Sequence, residues 1–89
     1  MAERLLRIQN KLGLHARASA KLASEASRFA SDIVLAKDNI EVNGKSIMGI
    51  MMLAAAKGSE ICVRAEGADA DEALDAIELL VNGNFGEAH

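Results

Sequence analysis

Within five residues, Gly13-Leu14-His15-Ala16-Arg17 combines a conformationally free glycine, an imidazole and a guanidinium. A neutral imidazole is a nucleophile, and histidine exchanges its neutral and charged forms near neutral pH. The guanidinium is a permanent cation whose planar fork of N–H donors matches phosphate oxygens. Those types at that spacing suit a histidine that receives a phosphoryl group and an arginine that steadies the charge it brings. The plainer reading is an exposed histidine in a turn, which needs no function.

The elements around this stretch decide where the two side chains stand. Arg4 to Gln9 reads as a strand, with Leu6 and Ile8 on one face and Arg7 and Gln9 on the other. Gly13 suits a sharp strand-to-helix turn because it takes a positive φ at little cost. A helix is expected from about Ala16 to Phe29, with Ala18, Leu22, Ala26 and Phe29 as its apolar stripe. His15 then falls at the N-cap, a place usually given to Ser, Thr, Asp or Asn. It is a poor choice for capping and a good one for chemistry. The first helical turn, Ala16, Arg17 and Ala18, offers unpaired backbone N–H groups and the positive end of the helix dipole, which together favour an anion.

Further along, Ile33 to Ala36 and Ile40 to Val42 read as two short strands around the reversal Lys37-Asp38-Asn39. Asn43-Gly44 is a turn, and Ser46 is a conventional N-cap for a segment from Ile47 to about Ala55. That segment is apolar almost all round, so some of Ile47, Met48, Met51 and Met52 must be exposed or covered by a partner, while Ile50 and Leu53 belong to the core. Glu60 to Glu66 alternates cleanly, with Ile61, Val63 and Ala65 inward. Asp69 is placed to cap the last helix, with Glu72 at the capping-box position. Ala70, Ala73, Leu74, Ile77, Leu80 and Val81 form that helix's stripe, Asn82-Gly83 stops it, and Gly86 to His89 reads as a frayed tail. The order β-α-β-β-α-β-α, with one apolar face per element, gives a two-layer α/β sandwich whose other sheet face is open to water.

Composition bounds the rest. Eighty-nine residues make one domain spanning 1–89, which buries about 60–65% of the unfolded chain's surface. The hydrophobic content is 51% but only 2% is aromatic, so the core must be aliphatic. A net charge of −3 argues against a general nucleic-acid binder, although Arg17 and Lys45 could supply a local basic spot. The single cysteine, Cys62, reads as a strand residue outside the deep core and fits a reducing compartment. With two distant histidines, His15 and His89, it does not make a metal site. Glu66, Asp69, Asp71, Glu72 and Asp75 read as a solvated helix start. The absence of a long apolar run and of a signal-peptide layout points to a cytoplasmic protein without membrane attachment.

Two motifs carry a resemblance. Gly13-Leu14-His15-Ala16-Arg17, followed about thirty residues later by Lys45-Ser46-Ile47-Met48-Gly49, resembles the HPr family, the histidine-containing phosphocarriers of the bacterial phosphotransferase system, and its nitrogen-branch paralogue NPr. The likeness spans essentially the whole chain. It implies a four-stranded antiparallel sheet of order 1-4-2-3 with three helices on one face, and phosphorylation of His15 at Nδ1. It implies enzyme I as donor, an EIIA-type domain as acceptor, and Ser46 as a regulatory site for an HPr kinase/phosphorylase in some bacteria. It also implies that the helix of Met48 and Met51 adjoins the His15 site as a docking face, with Lys45, Ile47 and Met52 beside them. The expected protein is a monomeric relay without cofactor or metal, a substrate of enzyme I rather than an enzyme. Many members have proline where this chain has Ala18; alanine is a strong helix former and restores an N–H donor.

Two competing functions remain at this stage. One is an NPr-type regulator within the family. The other is a ferredoxin-like module binding RNA or a small ligand. An RNA binder should carry strand aromatics for stacking, and this chain has no Tyr or Trp and no Phe in an expected strand.

Overall fold

The computed structural model describes residues 2–87. Four strands, β1 (Ala2–Arg7), β2 (Asp32–Lys37), β3 (Ile40–Asn43) and β4 (Glu60–Glu66), form one antiparallel sheet in the order β1-β4-β2-β3. The helices are α1 (Ala16–Ala26), α2 (Ile47–Met52) and α3 (Ala70–Asn82), followed by a 3-10 turn at Asn84–Gly86. The sandwich and strand order are therefore as expected.

Period-two alternation does what it promised in β4. Ile61, Val63 and Ala65 are buried, while Glu60 and Glu66 are exposed. Cys62 faces the open side between Leu5 and Ala36. Its thiol pKa is pushed up by partial burial and by the Glu3 carboxylate, which makes it a poor nucleophile. The core beneath the sheet is aliphatic, filled by Ile8, Leu22, Leu35, Ile50, Leu53, Ile77 and Val81, together with the fully buried ring of Phe85.

Local boundaries differ from the sequence expectation where distant residues intervene. β1 begins earlier and ends at Arg7, yet Ile8 stays tied to the sheet edge, donating to the Ser59 carbonyl at 2.8 Å and accepting from Gly58 N–H at 2.7 Å. α1 stops at Ala26 rather than Phe29. Its C-terminal N–H groups at Arg28 and Phe29 bond three residues back, tightening the last turn. The chain beyond is captured from outside: Lys45 Nζ donates to the Phe29 carbonyl at 2.8 Å, and Asp69 accepts from the N–H groups of Ala30 and Ser31 at 2.8 and 2.9 Å. α2 is shorter than expected, ending at Met52 because Ala54 turns to a positive φ of 50°.

Asp69 corrects another expectation. It stands at the N-cap position of α3 but makes no side-chain cap hydrogen bond. Its carboxylate accepts instead from Ser31 Oγ and from the two loop N–H groups. The Ser31 hydroxyl, then the Ala30 N–H, outweigh partial desolvation and hold the carboxyl below its ordinary range. A carboxylate whose folded pKa is depressed stabilises the fold above its unfolded value, and that stabilisation is lost as pH falls through the folded one. Asp69→Asn should therefore melt at lower temperature at neutral pH and lose part of the wild type's acid sensitivity below the ordinary value of 3.8, as read by thermal melts on a pH series. Parallel melting curves for the two proteins at every pH would contradict this.

Candidate functional site

Gly13 turns the chain from β1 into α1. Its φ is +66°, and a Cβ there would stand 2.5 Å from the Ala55 carbonyl oxygen, so only glycine fits without displacement of backbone. Leu14 N–H donates to that same Ala55 oxygen at 2.9 Å, locking the turn against the segment after α2. The next residue, His15, is the N-cap of α1. Contrary to the expectation of a weak cap, its Nδ1 accepts from the Arg17 N–H at 3.3 Å, so the imidazole does what a capping oxygen would do. By helix geometry, the remaining N–H groups of the first turn have no partner within the helix.

The other ring nitrogen is engaged as well. His15 Nε2 lies 2.5 Å from Glu87 Oε2. Both side chains are largely covered, at 28% and 16% exposure. Burial alone would push the Glu87 carboxyl up, but hydrogen bonds from His15 and Asn10, with the nearby Lys21 charge, carry it below its usual range. Because Nδ1 accepts from the Arg17 N–H, the ring proton is assigned to Nε2, where it faces the Glu87 carboxylate.

Glu87 is placed by an ordered strap where the sequence predicts a frayed tail. Asn84 and Phe85 adopt positive φ values of 57° and 55°, and Phe85 is buried to 1% exposure beneath them. Lys21 Nζ donates to the Phe85 carbonyl at 2.6 Å. Asn10 Nδ2 donates both to the Gly13 carbonyl at 2.8 Å and to Glu87 Oε1 at 3.1 Å, joining turn and strap. The expected fraying at Gly86 and Glu87 is thus overturned, and residues 88 and 89, His89 included, lie outside the described ones.

An open cavity of about 850 Å³ is lined by Lys11, Leu12, His15, Ala16, Arg17, Lys21, Gly86 and Glu87. Among the described residues, Lys11, Arg17 and Lys21 set three cations against one carboxylate on a chain of net charge −3. Among the described residues the Arg17 guanidinium makes no ion pair, so its fork is free for a ligand. Lys45 does not line this cavity. It bonds the Phe29 carbonyl beyond the C-terminal end of α1, whereas Arg17 stands in the first turn, so the local basic spot comes from Lys11 and Lys21 instead. Lys21 follows Arg17 by four residues and was legible as a helix-face neighbour. Glu87 and Asn10 had no such signal.

α2 runs antiparallel to α1, since Lys45 meets Phe29 at one end and Ala55 meets Leu14 at the other. Ser46 caps it conventionally, its Oγ accepting from Gly49 N–H at 3.0 Å. Ile50 and Leu53 are core residues, whereas Ile47 and Met51 are exposed, and Met48 and Met52 reach 75% and 69% exposure.

The family model described as "PTS HPr component phosphorylation site" matches residues 2–83. The chain belongs to the HPr family. It is 54% identical over 87 residues to the phosphocarrier protein HPr of Neisseria meningitidis, covering 98% of each. The phosphocarrier protein NPr of Shewanella violacea is 45% identical, over 97% of this chain and 94% of that one. A crystal structure of HPr-C-His from Thermoanaerobacter tengcongensis superposes with a TM-score of 0.96 at 46% identity, covering 100% of both chains. The matched region runs through all three helices and ends at Gly83, before the strap that carries Glu87.

Proposed function

We propose that this HPr-family chain is a phosphoryl relay of a bacterial phosphotransferase system: His15 accepts a phosphoryl group from phospho-enzyme I and passes it to an EIIA-type acceptor. The observation that carries the reading is the setting of the imidazole, with Nε2 against the Glu87 carboxylate and Nδ1 accepting from the Arg17 N–H at the N-terminus of α1, which assigns the ring proton to Nε2. Neutral imidazole attacks phosphorus, and the lone pair is already on the nitrogen that meets the helix donors. Once the phosphoryl arrives, the first-turn N–H groups of Ala16, Arg17 and Ala18, the helix dipole and the Arg17 guanidinium stabilise its charge. Phosphoryl transfer is mostly positioning and electrostatics, so a carrier of this size suffices.

The exposed face of Ile47, Met48, Met51 and Met52 is the docking surface. Flexible, polarisable methionines suit one patch that must fit a donor and then an acceptor. Lys45 and Ser46 form the other end of that face. A phosphate on Ser46 from an HPr kinase/phosphorylase would meet the α2 dipole without disturbing the core, and would act by placing negative charge where partners dock. The greater identity to an HPr than to an NPr supports the sugar branch over the nitrogen branch. The relay works in the cytoplasm as a single copy and needs no cofactor or metal; among the described residues no helix is long and apolar enough to cross a membrane.

The test is labelling with purified enzyme I and phosphoenolpyruvate, with the sugar-branch and nitrogen-branch enzymes run in parallel. An acid-labile, base-stable phosphate on the chain, fastest with the sugar-branch enzyme, is the expected result. A folded chain that neither enzyme labels would end the carrier reading.

A further inference from the structure

We propose that Glu87 is a positioning residue for phosphoryl transfer, holding the proton on His15 Nε2 and balancing the charge that the ring gains when Nδ1 is phosphorylated. This rests on the relay reading above and extends it to a residue that lies beyond both sequence motifs.

The balance of the step gives the carboxylate its task. The neutral ring carries its proton on Nε2. The Nδ1 lone pair forms the new N–P bond, and the donor protein's bond to phosphorus breaks with its electron pair leaving on the donor. The Nε2 proton has nowhere it needs to go, so the ring ends cationic beside a dianionic phosphoryl group. Lys11, Arg17 and Lys21 all border the same cavity and oppose a cationic ring, while favouring the phosphoryl. Among the described residues Glu87 is the anion facing the ring, 2.5 Å from Nε2. It is held there by Asn10 and by the strap that Lys21 fastens at Phe85. With Nε2–H retained, the phosphorylated ring is a cation, and onward transfer returns the N–P electron pair to Nδ1 and leaves a neutral imidazole. The relay thus runs both ways with no proton exchanged with solvent. The logic is that of a carboxylate orienting a catalytic imidazole and stabilising its cationic form.

Glu87 lies outside the core, so its variants fold. Glu87→Gln keeps the length and an accepting oxygen but removes the charge; Glu87→Ala removes both. Nitrogen-15 spectra of the His15 ring in the full unphosphorylated chain should show Nε2–H, its proton sheltered from water exchange, in wild type and Glu87→Gln, and an exposed, rapidly exchanging proton in Glu87→Ala. With enzyme I as donor, kcat should fall about tenfold in both variants while KM stays within about twofold, because the charge acts on the transferring state and not on docking. A wild-type ring protonated on Nδ1, or wild-type kcat in both variants, would overturn the proposal. A wild type that enzyme I never labels would instead overturn the relay reading, and the ring spectra, which need no donor, would still judge Glu87.

Discussion

His15→Ala should give a folded protein that takes no phosphate. The imidazole is not part of the core; what its removal costs in stability is an N-cap hydrogen bond and a contact to Glu87. Loss of a cap is worth about 1 kcal/mol, which for a domain of this size lowers the melting temperature by about 4–8 °C. Function should vanish, not weaken, because among the described residues no second histidine, cysteine or hydroxyl side chain lines the cavity. Its other members are lysines, an arginine, apolar residues and a carboxylate already engaged by Asn10. Cys62 faces the open side of the sheet with a thiol pushed up in pKa. Arg17→Ala makes the useful contrast. It leaves the nucleophile and removes one stabiliser of the phosphoryl charge, so labelling should persist at a rate lowered by roughly a hundredfold. The measurement is phosphorylation on a gel that resolves phosphoprotein, paired with a thermal melt of each variant. Acid-labile label on a folded His15→Ala protein would place the accepting group elsewhere.

Legibility in the sequence followed the range of the forces involved. β4 was readable to the residue because alternation is local and its partners on both sides share the pattern. The same holds for Ser46, whose cap bond spans three residues. The end of α1 was not readable: Phe29, Ala30 and Ser31 could have continued the helical pattern, and they leave it because Lys45 and Asp69 bind them from 16, 39 and 38 residues away. Asp69 could not be told from an ordinary capping residue until its loop partners were known. The site divides in the same way. His15, Arg17 and the helix N-terminus were plain from one pentapeptide, since residue type, cap position and dipole all act within one turn. Glu87 and Asn10 were invisible. A glutamate 72 residues from the histidine gives no periodic signal, and the strap that delivers it depends on left-handed conformations at Asn84 and Phe85 that neither residue type demands. Burial of the Phe85 ring in an otherwise aliphatic core is what holds that conformation.

Gly13→Val should be the most damaging single change outside the core. A β-branched residue at a φ of +66° is strained in itself, and its Cβ would meet the Ala55 oxygen at 2.5 Å and the Ala56 Cα at 2.9 Å. Both obstacles are backbone, so relief requires the turn to part from the segment after α2, breaking the Leu14–Ala55 hydrogen bond. The combined cost is about 3 kcal/mol, or roughly 12–24 °C in melting temperature. Gly58→Val is the control: its φ is also positive, at +92°, but nothing lies within 4 Å of the added Cβ, so it carries the conformational strain without the collision. Urea unfolding should show a large fall in midpoint for Gly13→Val and a clearly smaller one for Gly58→Val, at unchanged slope. Equal losses would mean that left-handed strain alone governs Gly13 and that its approach to Ala55 contributes nothing. The functional consequence follows from the geometry of the turn. Gly13 also offers its carbonyl to Asn10, which in turn holds Glu87, so opening this turn releases the N-cap, the ring and its carboxylate together. Below its melting temperature, Gly13→Val should therefore be labelled more slowly than Glu87→Ala, since it loses the helix N-terminus as well as the charge behind the ring.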